Sequence, residues 1–287
     1  MAWQIFSLFS ALFSASSAIL EKKILLKEKP LEMSALMSIF AFILSIPFFF
    51  MIDINSVSSV SLIVLFGKCL ISAAAFYCVM VSIKELQLSS ALPLLAVTPA
   101  FVAIFALVFL GEYLKIKDVI GMILIIAGTY VLELNTKNLI SPIKIFMKSK
   151  GYLYVLLALV LFTISSVLDK FILKAYNLPV NAFIAFQQLF LTLIFLLIIL
   201  IKRESLKETF SGSWKLILLL ASFTIIYRYA QIAAVKNAPV ALVLSIKRLS
   251  VFFAAIIGGA IFKEENLIRK GVAALLIVLG TILLLAF

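Results

Sequence analysis

The stretch from Pro239 to Glu265, PVALVLSIKRLSVFFAAIIGGAIFKEE, decides what kind of protein this chain can be. Residues 240–262 predict one continuous membrane-spanning helix, because a span needs about 20 apolar residues. Lys247 and Arg248 lie inside this helix, a third of the way along. A charge at the centre of a bilayer costs roughly 2.5–3.5 kcal/mol, so two adjacent cations indicate a function rather than chance.

The composition of the whole chain agrees with this helix. Of its 287 residues, 65% are hydrophobic and only 13% are charged. A soluble domain contains about 45–50% apolar and about 25% charged residues, and this chain has too few polar residues to cover a soluble surface. Apolar runs of membrane-spanning length recur throughout the sequence, which predicts a polytopic membrane protein.

Ten apolar runs can be counted, and each is long enough to cross a bilayer as a helix. They are residues 2–20, 31–52, 60–83, 89–110, 117–134, 151–171, 180–201, 214–235, 240–262 and 268–286. No β-barrel alternation occurs, so we predict an all-α polytopic membrane protein with ten transmembrane helices. The longest connection, residues 136–150, is polar and separates two five-helix units, residues 1–135 and 151–287.

The two units repeat each other in sequence. A shift of 152 residues aligns Tyr77 with Tyr229, Lys84 with Lys236, Phe101 with Phe253, Glu112 with Glu264, and Gly128-Thr129 with Gly280-Thr281. Residues 13–17 resemble residues 162–166 at a shift of 149, so the chain is an early duplication. Five helices per unit is an odd number, so the second unit is inverted. Inverted five-helix repeats build secondary transporters, although duplications also build structural bundles and enzymes.

The turn before the last helix of each unit carries a family resemblance. Residues 109–114 are FLGEYL and residues 261–266 are IFKEEN; Gly121 with Gly128 and Gly271 with Gly280 follow them. In these features the whole chain resembles the EamA-type branch of the drug/metabolite transporter (DMT) superfamily. The resemblance implies transport but no particular substrate, because the family carries amino acids, sugars, nucleosides and lipid precursors. Lys263 departs from the family, which more often has Gly before this Glu.

Polar side chains on three predicted helices lie at one depth. We call the face with both termini and the connections after even-numbered helices the even face, and the opposite one the odd face. Gln187, Gln188, Arg228 and Arg248 lie about seven or eight residues from the even face, roughly 10–12 Å. With Lys247 they predict a binding site for an anionic or carboxylate-bearing solute, because guanidinium groups offer a fork of donors and ammonium groups a point charge.

Two alternative roles are open for the same cations. Arg228 or Lys247 could pair with Asp169, which lies nearer the even face at the end of helix 6, as a structural or gating ion pair. Long cationic side chains also reach out to lipid headgroups without touching a substrate. For Lys68 on helix 3 we expect this headgroup-directed role.

Two further residue pairs are candidates for the site. Tyr77 and Tyr229 are related by the repeat, and Tyr gives a cavity an apolar wall with a polar tip, although interfacial Tyr residues are common. Pro93 and Pro99 on helix 4 predict a kink that serves as a hinge or only bends the helix.

For three carboxylates, those of Glu21, Glu112 and Glu264, we expect structural rather than substrate-binding roles. Glu112 and Glu264 lie in short turns, and we expect them to cap the N-termini of helices 5 and 10. Glu21 follows helix 1 beside Lys22 and Lys23, and we expect it to lie in a solvated loop.

The sequence lacks the motifs of catalysis and cofactor binding. It contains no His, no Walker loop, no GxGxxG and no GxSxG, so we expect no enzyme activity, no metal and no cofactor. The net charge of +12 comes mostly from Lys residues in short loops, which act as topology and headgroup signals. We therefore expect a small-molecule substrate and membrane lipids as partners, and no nucleic acid. The oligomeric state is open, and a monomer is compatible with the sequence.

These observations predict a secondary-type transporter that moves a small polar, anionic or carboxylate-bearing metabolite by alternating access. One alternative is a flippase for a lipid or a lipid-linked sugar. A membrane-embedded enzyme is the alternative of another class, and the missing catalytic groups disfavour it.

The distribution of positive charge and the family resemblance predict opposite orientations in the membrane. Of the 25 Lys and Arg residues, 16 lie in connections on the odd face, five lie on the even face and four lie within the membrane. The positive-inside rule would therefore place both termini outside. The family resemblance implies cytoplasmic termini in the plasma (inner) membrane instead, and we adopt that orientation as the prediction.

Overall fold

The computed structural model describes residues 2–53, 56–85, 97–133, 150–250, 253 and 267–285, and within these ranges no strand occurs. The described helices are α1 (Ala2–Leu25), α2 (Pro30–Phe49), α3 (Ser59–Glu85), α4 (Thr98–Leu110), α5 (Ile116–Glu133), α6 (Lys150–Ala175), α7 (Val180–Lys202), α8 (Lys207–Asn237), α9 (Val240–Lys247) and α10 (Leu267–Leu285). Six of them, α1, α2, α3, α6, α7 and α8, are long and apolar enough to cross a membrane. Thr98–Leu110 and Gly271–Leu285 are shorter apolar helices.

The structure confirms the all-helical fold and extends the predicted helices 1, 6 and 8 by several residues each. α1 ends at Leu25 rather than at residue 20, and α8 begins at Lys207 rather than at residue 214. Both extensions are polar, so the apolar runs end before the helices do. In α8 the hydroxyls of Thr209 and Ser213 hold the extra turns by donating to carboxylates of the first unit.

The predicted helix 4 is described only from residue 97 onward. Within that part α4 begins at Thr98, with Pro99 in its first turn. A proline is tolerated there because the first N–H groups of a helix have no partner within the helix. Pro99 therefore lies in the first turn of the described helix, and its predicted kink and hinge role stay predictions. Pro93, Glu264 and nearly all of the connection 136–150 lie outside the described residues.

Large hydrophobic side chains cover the outside of the helix bundle. Ile63 of α3, Phe109 of α4 and Leu200 of α7 are 70%, 68% and 72% exposed. Small polar side chains are buried instead, as Ser10 and Ser82 show. A surface this apolar is typical of a protein whose solvent is lipid.

The helices pack in a pattern that is unchanged when the two units are exchanged. With α6–α10 taken as copies of α1–α5, α1 packs on α8 and its copy α6 packs on α3. In the same way α1 packs on α9, and α6 packs on α4. α2 packs on α7, α4 on α9 and α5 on α10, each helix against its own copy. The interior therefore lies between the units, as a pseudo-two-fold relation requires.

Glycines let α5 and α10 approach each other backbone to backbone. A Cβ atom at Gly280 would lie 2.6 Å from the Gly121 carbonyl oxygen and 2.9 Å from the Ile125 nitrogen. At Gly128 a Cβ atom would lie 2.9 Å from the Ala273 carbonyl oxygen. These separations are too short for any side chain, so the close helix contact depends on Gly at these positions.

We expect Gly280→Ala to destabilise the protein, because the added methyl group pushes the backbones of α5 and α10 apart. Overpacking of a tight contact costs typically ~1–3 kcal/mol. Gly271→Ala is the matched control on α10, since nothing lies within 4 Å of a Cβ atom there. It should be neutral or stabilising by up to ~1 kcal/mol through helix propensity. Thermal unfolding in detergent measures both variants, and equal melting temperatures would contradict the tight contact.

Candidate functional site

Four side chains from four helices form what we call the central cluster: Lys68 of α3, Asp169 of α6, Gln187 of α7 and Arg228 of α8. The Lys68 ammonium lies 2.6 Å from Asp169 Oδ1, and Arg228 Nη2 lies 3.5 Å from Asp169 Oδ2. The Gln187 side-chain oxygen accepts hydrogen bonds from both cations, at 3.1 Å from Lys68 and 2.9 Å from Arg228. Two cations, one carboxylate and one amide therefore meet between the two units.

The central cluster lies in the half of the membrane nearer the even face. Its residues are six to nine positions from the even ends of their helices, which corresponds to roughly 9–14 Å. The structure thus brings Gln187 and Arg228 together near the predicted depth, and Gln188 is buried beside Gln187 on α7. The ion pair between Arg228 and Asp169 that the sequence left open is also present.

The expectation that Lys68 reaches lipid headgroups is wrong. Its side chain is only 1% exposed, and that of its partner Asp169 is 3% exposed. The ammonium also lies 5.3 Å from the centroid of the Phe183 ring. A desolvated ammonium is costly unless an opposite charge is near, so Asp169 at the same depth holds Lys68 inward.

Lys247 and Arg248 lie where α9 ends, inside the predicted helix 240–262. α9 ends at Lys247, and Arg248 forms a turn whose N–H donates to the Leu244 and Ser245 carbonyls. The C-terminal end of a helix carries partial negative charge, which favours cations there. Arg248 itself keeps right-handed helical dihedral angles, and residues 249 and 250 are helical again. Most of the remaining predicted helix lies outside the described residues, so its continuity over 240–262 stays a prediction.

The Lys247 ammonium points toward α8. It donates a 2.7 Å hydrogen bond to Gln231 and lies 4.5 Å from the centroid of the Tyr227 ring. It also interacts electrostatically with Arg228 and Asp169. Lys247 is therefore a neighbour of the central cluster, although a separate group of side chains holds it.

Glu21 lies at a partly open cavity and not in a solvated loop, contrary to expectation. Because α1 continues to Leu25, Glu21 stays on the helix. The cavity has a volume of about 130 Å³ and is lined by Ser14, Ser17, Ala18, Glu21, Phe76, Val79, Met80, Phe162 and Tyr227. Tyr227 thus lines the same cavity as Glu21, and the Lys247 ammonium lies over its ring. The charges of Glu21 and Lys247 interact electrostatically.

Lys170 ties three helices together at the even face. Its ammonium donates to the carbonyl oxygens of Val235 and Ala238 at the end of α8, at 2.7 and 2.9 Å. It also lies 3.6 Å from Glu112 Oε1, and the second Glu112 oxygen accepts the N–H of Val240 at 3.0 Å. This even-face tie joins the first unit, through Glu112, to the second.

Glu112 therefore caps α9 of the second unit and not α5, so the predicted capping is wrong for this residue. The N–H groups at the start of α9 need an acceptor, and a carboxylate is the favoured one. α5 has its own acceptor, because Asp118 accepts the N–H of Lys115 at 3.1 Å.

An odd-face tie joins the two units on the opposite side of the membrane. Lys29, just before α2, donates to Glu204 at 2.9 Å and lies 3.0 Å from Glu32. Thr209 of α8 donates to the same Glu32. The hydrogen bonds that Lys29 makes with Glu204 and Glu32 raise the pKa of Lys29 above its ordinary value. Lys29 is therefore charged at ordinary pH, and its contribution to the tie is lost as the pH rises through that raised value.

The predicted tyrosines have neighbours outside the central cluster. Tyr77 lies near the odd face, where the Lys202 ammonium is 5.8 Å from its ring centroid. Tyr229 stacks on Phe48 of α2, with the ring centroids 5.4 Å apart. A role of either tyrosine in a substrate cavity stays a prediction.

Sequence reasoning missed the inward positions of Lys68 and Glu21. For Lys68 the missed signal was Asp169, an opposite charge at a similar depth on another helix. For Glu21 the missed signal was the repeat itself. At the shift of 149 residues Glu21 aligns with Lys170, so each unit carries an ionic residue at the same place.

The fold and the site define a multi-pass helical membrane protein whose two units share one buried ionic cluster. The EamA-like transporter family matches residues 1–134 and 149–286, and the chain belongs to this family, within the DMT superfamily. A solved crystal structure of a protein 17% identical in sequence covers 98% of this chain and 96% of its own, with a TM-score of 0.75. That likeness shows the fold alone. A comparison with curated proteins finds no match.

We expect Asp169→Asn to destabilise the protein strongly, because it leaves two buried cations without their carboxylate. Removing one partner of a buried ion pair costs about 3–5 kcal/mol. Lys68→Met should cost less, since Asp169 keeps Arg228 as its partner. The double variant Lys68→Met with Asp169→Asn should recover part of the loss. Thermal unfolding in detergent gives the order, and an Asp169→Asn variant as stable as wild type would contradict it.

Proposed function

We propose that the protein is a secondary-type carrier that moves a small polar, anionic or carboxylate-bearing metabolite by alternating access. Membership of the EamA-like transporter family supports transport. The observation that carries the choice of substrate class is the excess of cations in the interior. Lys68, Arg228, Lys247 and Arg248 are buried or half-buried within the membrane.

Among the described residues, two carboxylates lie near three of these cations, Lys68, Arg228 and Lys247. Asp169 lies against Lys68 and Arg228, and Glu21 lies within electrostatic range of Lys247. Desolvated cations are costly without counter-charge. An acidic group on the solute would supply that charge when it binds, so the empty carrier favours a solute that carries a carboxylate or phosphate over one that carries none.

Arg228 has the geometry to grip such a solute. Its contacts with Asp169 and Gln187 both use one nitrogen, Nη2. A guanidinium has five donors in a rigid fork, so the rest of the fork can meet a carboxylate or phosphate. The contact with Asp169, at 3.5 Å, is the longer of the two and would yield first.

We also propose ten transmembrane helices in two inverted repeats, residues 1–135 and 151–287, joined by residues 136–150. The exchange-symmetric packing of the helices supports this arrangement. The even-face tie and the odd-face tie each join the two units on one side of the membrane. Breaking one tie at a time would open one face at a time, which is what alternating access requires. In this scheme the protein catalyses no reaction.

We expect anionic solutes to stabilise the purified protein in a saturable way, since a ligand that binds only the folded state raises the melting temperature. A thermal-shift screen of carboxylates, phosphate esters and neutral analogues measures this effect. Arg228→Met and Lys247→Met should each raise the half-saturating concentration about tenfold or more, the effect of losing a charged hydrogen bond.

Lys215→Met is the matched control for that screen, because Lys215 is an exposed cation on the same helix as Arg228. It should leave the half-saturating concentration unchanged. Shifts of equal size in wild type, Arg228→Met and Lys247→Met would sink the anion site.

We propose that both termini lie in the cytoplasm and that the protein resides in the plasma (inner) membrane. This orientation leaves 16 Lys and Arg residues on the outer, odd face, against the positive-inside rule. A reporter enzyme that works only outside the cytoplasm, fused after Phe287, should be inactive. An active reporter there would overturn the orientation.

A further inference from the structure

The cavity beside Glu21 differs in chemistry from the central cluster. It combines one carboxylate with the hydroxyls of Ser14 and Ser17 and with the aromatic rings of Phe76, Phe162 and Tyr227. Among the described residues no cation lies within ion-pair distance of the Glu21 carboxylate. Lys247 acts on it only at longer range.

Ser17 gives a second, independent indication of a ligand. Its side chain is 2% exposed, and its hydroxyl has no hydrogen-bond partner among the described residues. A buried hydroxyl without a partner is unfavourable, and natural proteins keep few of them. Because Ser17 lines the cavity, a bound polar group could satisfy this hydroxyl.

The wall of the cavity suits an ammonium group. A carboxylate attracts and hydrogen-bonds an ammonium, and aromatic faces add cation–π attraction. An anion would be repelled by Glu21, and a divalent metal ion requires more oxygen ligands than one carboxylate and two hydroxyls. The volume, about 130 Å³, exceeds the space of one water several-fold, so a small organic head group can enter.

We propose that the Glu21 cavity is a subsite that binds the ammonium group of the transported solute. This subsite rests on the proposed function. Together the two proposals make the solute zwitterionic, with its ammonium group at Glu21 and its acidic group at Arg228 and Lys247. Tyr227 connects the two subsites, because it lines the cavity and also packs under Lys247. Because the one side chain of Tyr227 borders both subsites, the two charges of the solute lie a short distance apart.

Three probes separate the two subsites: ethylammonium chloride, sodium propionate and β-alanine. The melting temperature of the purified full chain is measured against each probe at constant pH and ionic strength, with sodium chloride as the baseline. We expect β-alanine to stabilise the protein at lower concentration than either singly charged probe. Glu21→Gln should raise the half-saturating concentrations of β-alanine and ethylammonium at least about tenfold and leave that of propionate unchanged.

Glu85→Gln is the matched control, because Glu85 is an exposed carboxylate at the odd end of α3, outside the cavity. It should change none of the three titrations. If Glu21→Gln does not fold, Glu21→Asp keeps the charge and withdraws it by one methylene. That variant should bind β-alanine more weakly than wild type, and unchanged binding would overturn the proposal.

The outcomes distinguish the subsite from the proposed function. In one outcome, propionate binding requires Arg228, but Glu21→Gln leaves the binding of β-alanine and ethylammonium unchanged. This outcome overturns the ammonium subsite and supports the anion carrier. Ethylammonium binding that requires Glu21, without any propionate binding, upholds the subsite and overturns the anion carrier.

Discussion

The interior of this protein depends on one constraint: a carboxylate, Asp169, is buried between two cations, Lys68 and Arg228. Charges inside a lipid-solvated bundle are tolerated only when they are paired at close range. Three helices, α3, α6 and α8, must therefore stay in register to within the length of an ion pair. Gln187 of α7 completes the arrangement, because its carbonyl oxygen accepts from both cations. Of these four residues, Arg228 is the one that we propose contacts a charged solute.

Duplication followed by divergence explains how one chain acquired this interior. The packing of the helices is the same when the two units are exchanged, but the charged residues of the two units differ. Lys170 and Glu21 occupy corresponding places in the repeat, yet Lys170 caps the end of α8 while Glu21 lines a cavity. The two faces consequently differ in what holds them.

The sequence predicted where residues lie along the helices better than which helices are neighbours. Hydropathy and the repeat placed Arg228 and Gln187 at one depth, and the structure joins them. The partners of Lys68 and Glu112 were missed because position along a helix does not give its orientation about the axis or its neighbours.

Flux through the reconstituted protein tests whether the buried cations grip the transported solute. In this assay the purified protein is reconstituted into liposomes that contain an unlabelled carboxylate, chosen because it stabilises the protein. The exchange of this solute for its labelled form added outside is then measured. We predict saturable exchange by wild type and by Lys215→Met. For Arg228→Met reconstituted at equal density we predict a loss of at least about tenfold, as expected for a lost charged hydrogen bond. Undiminished exchange by folded Arg228→Met would contradict this role of the cations.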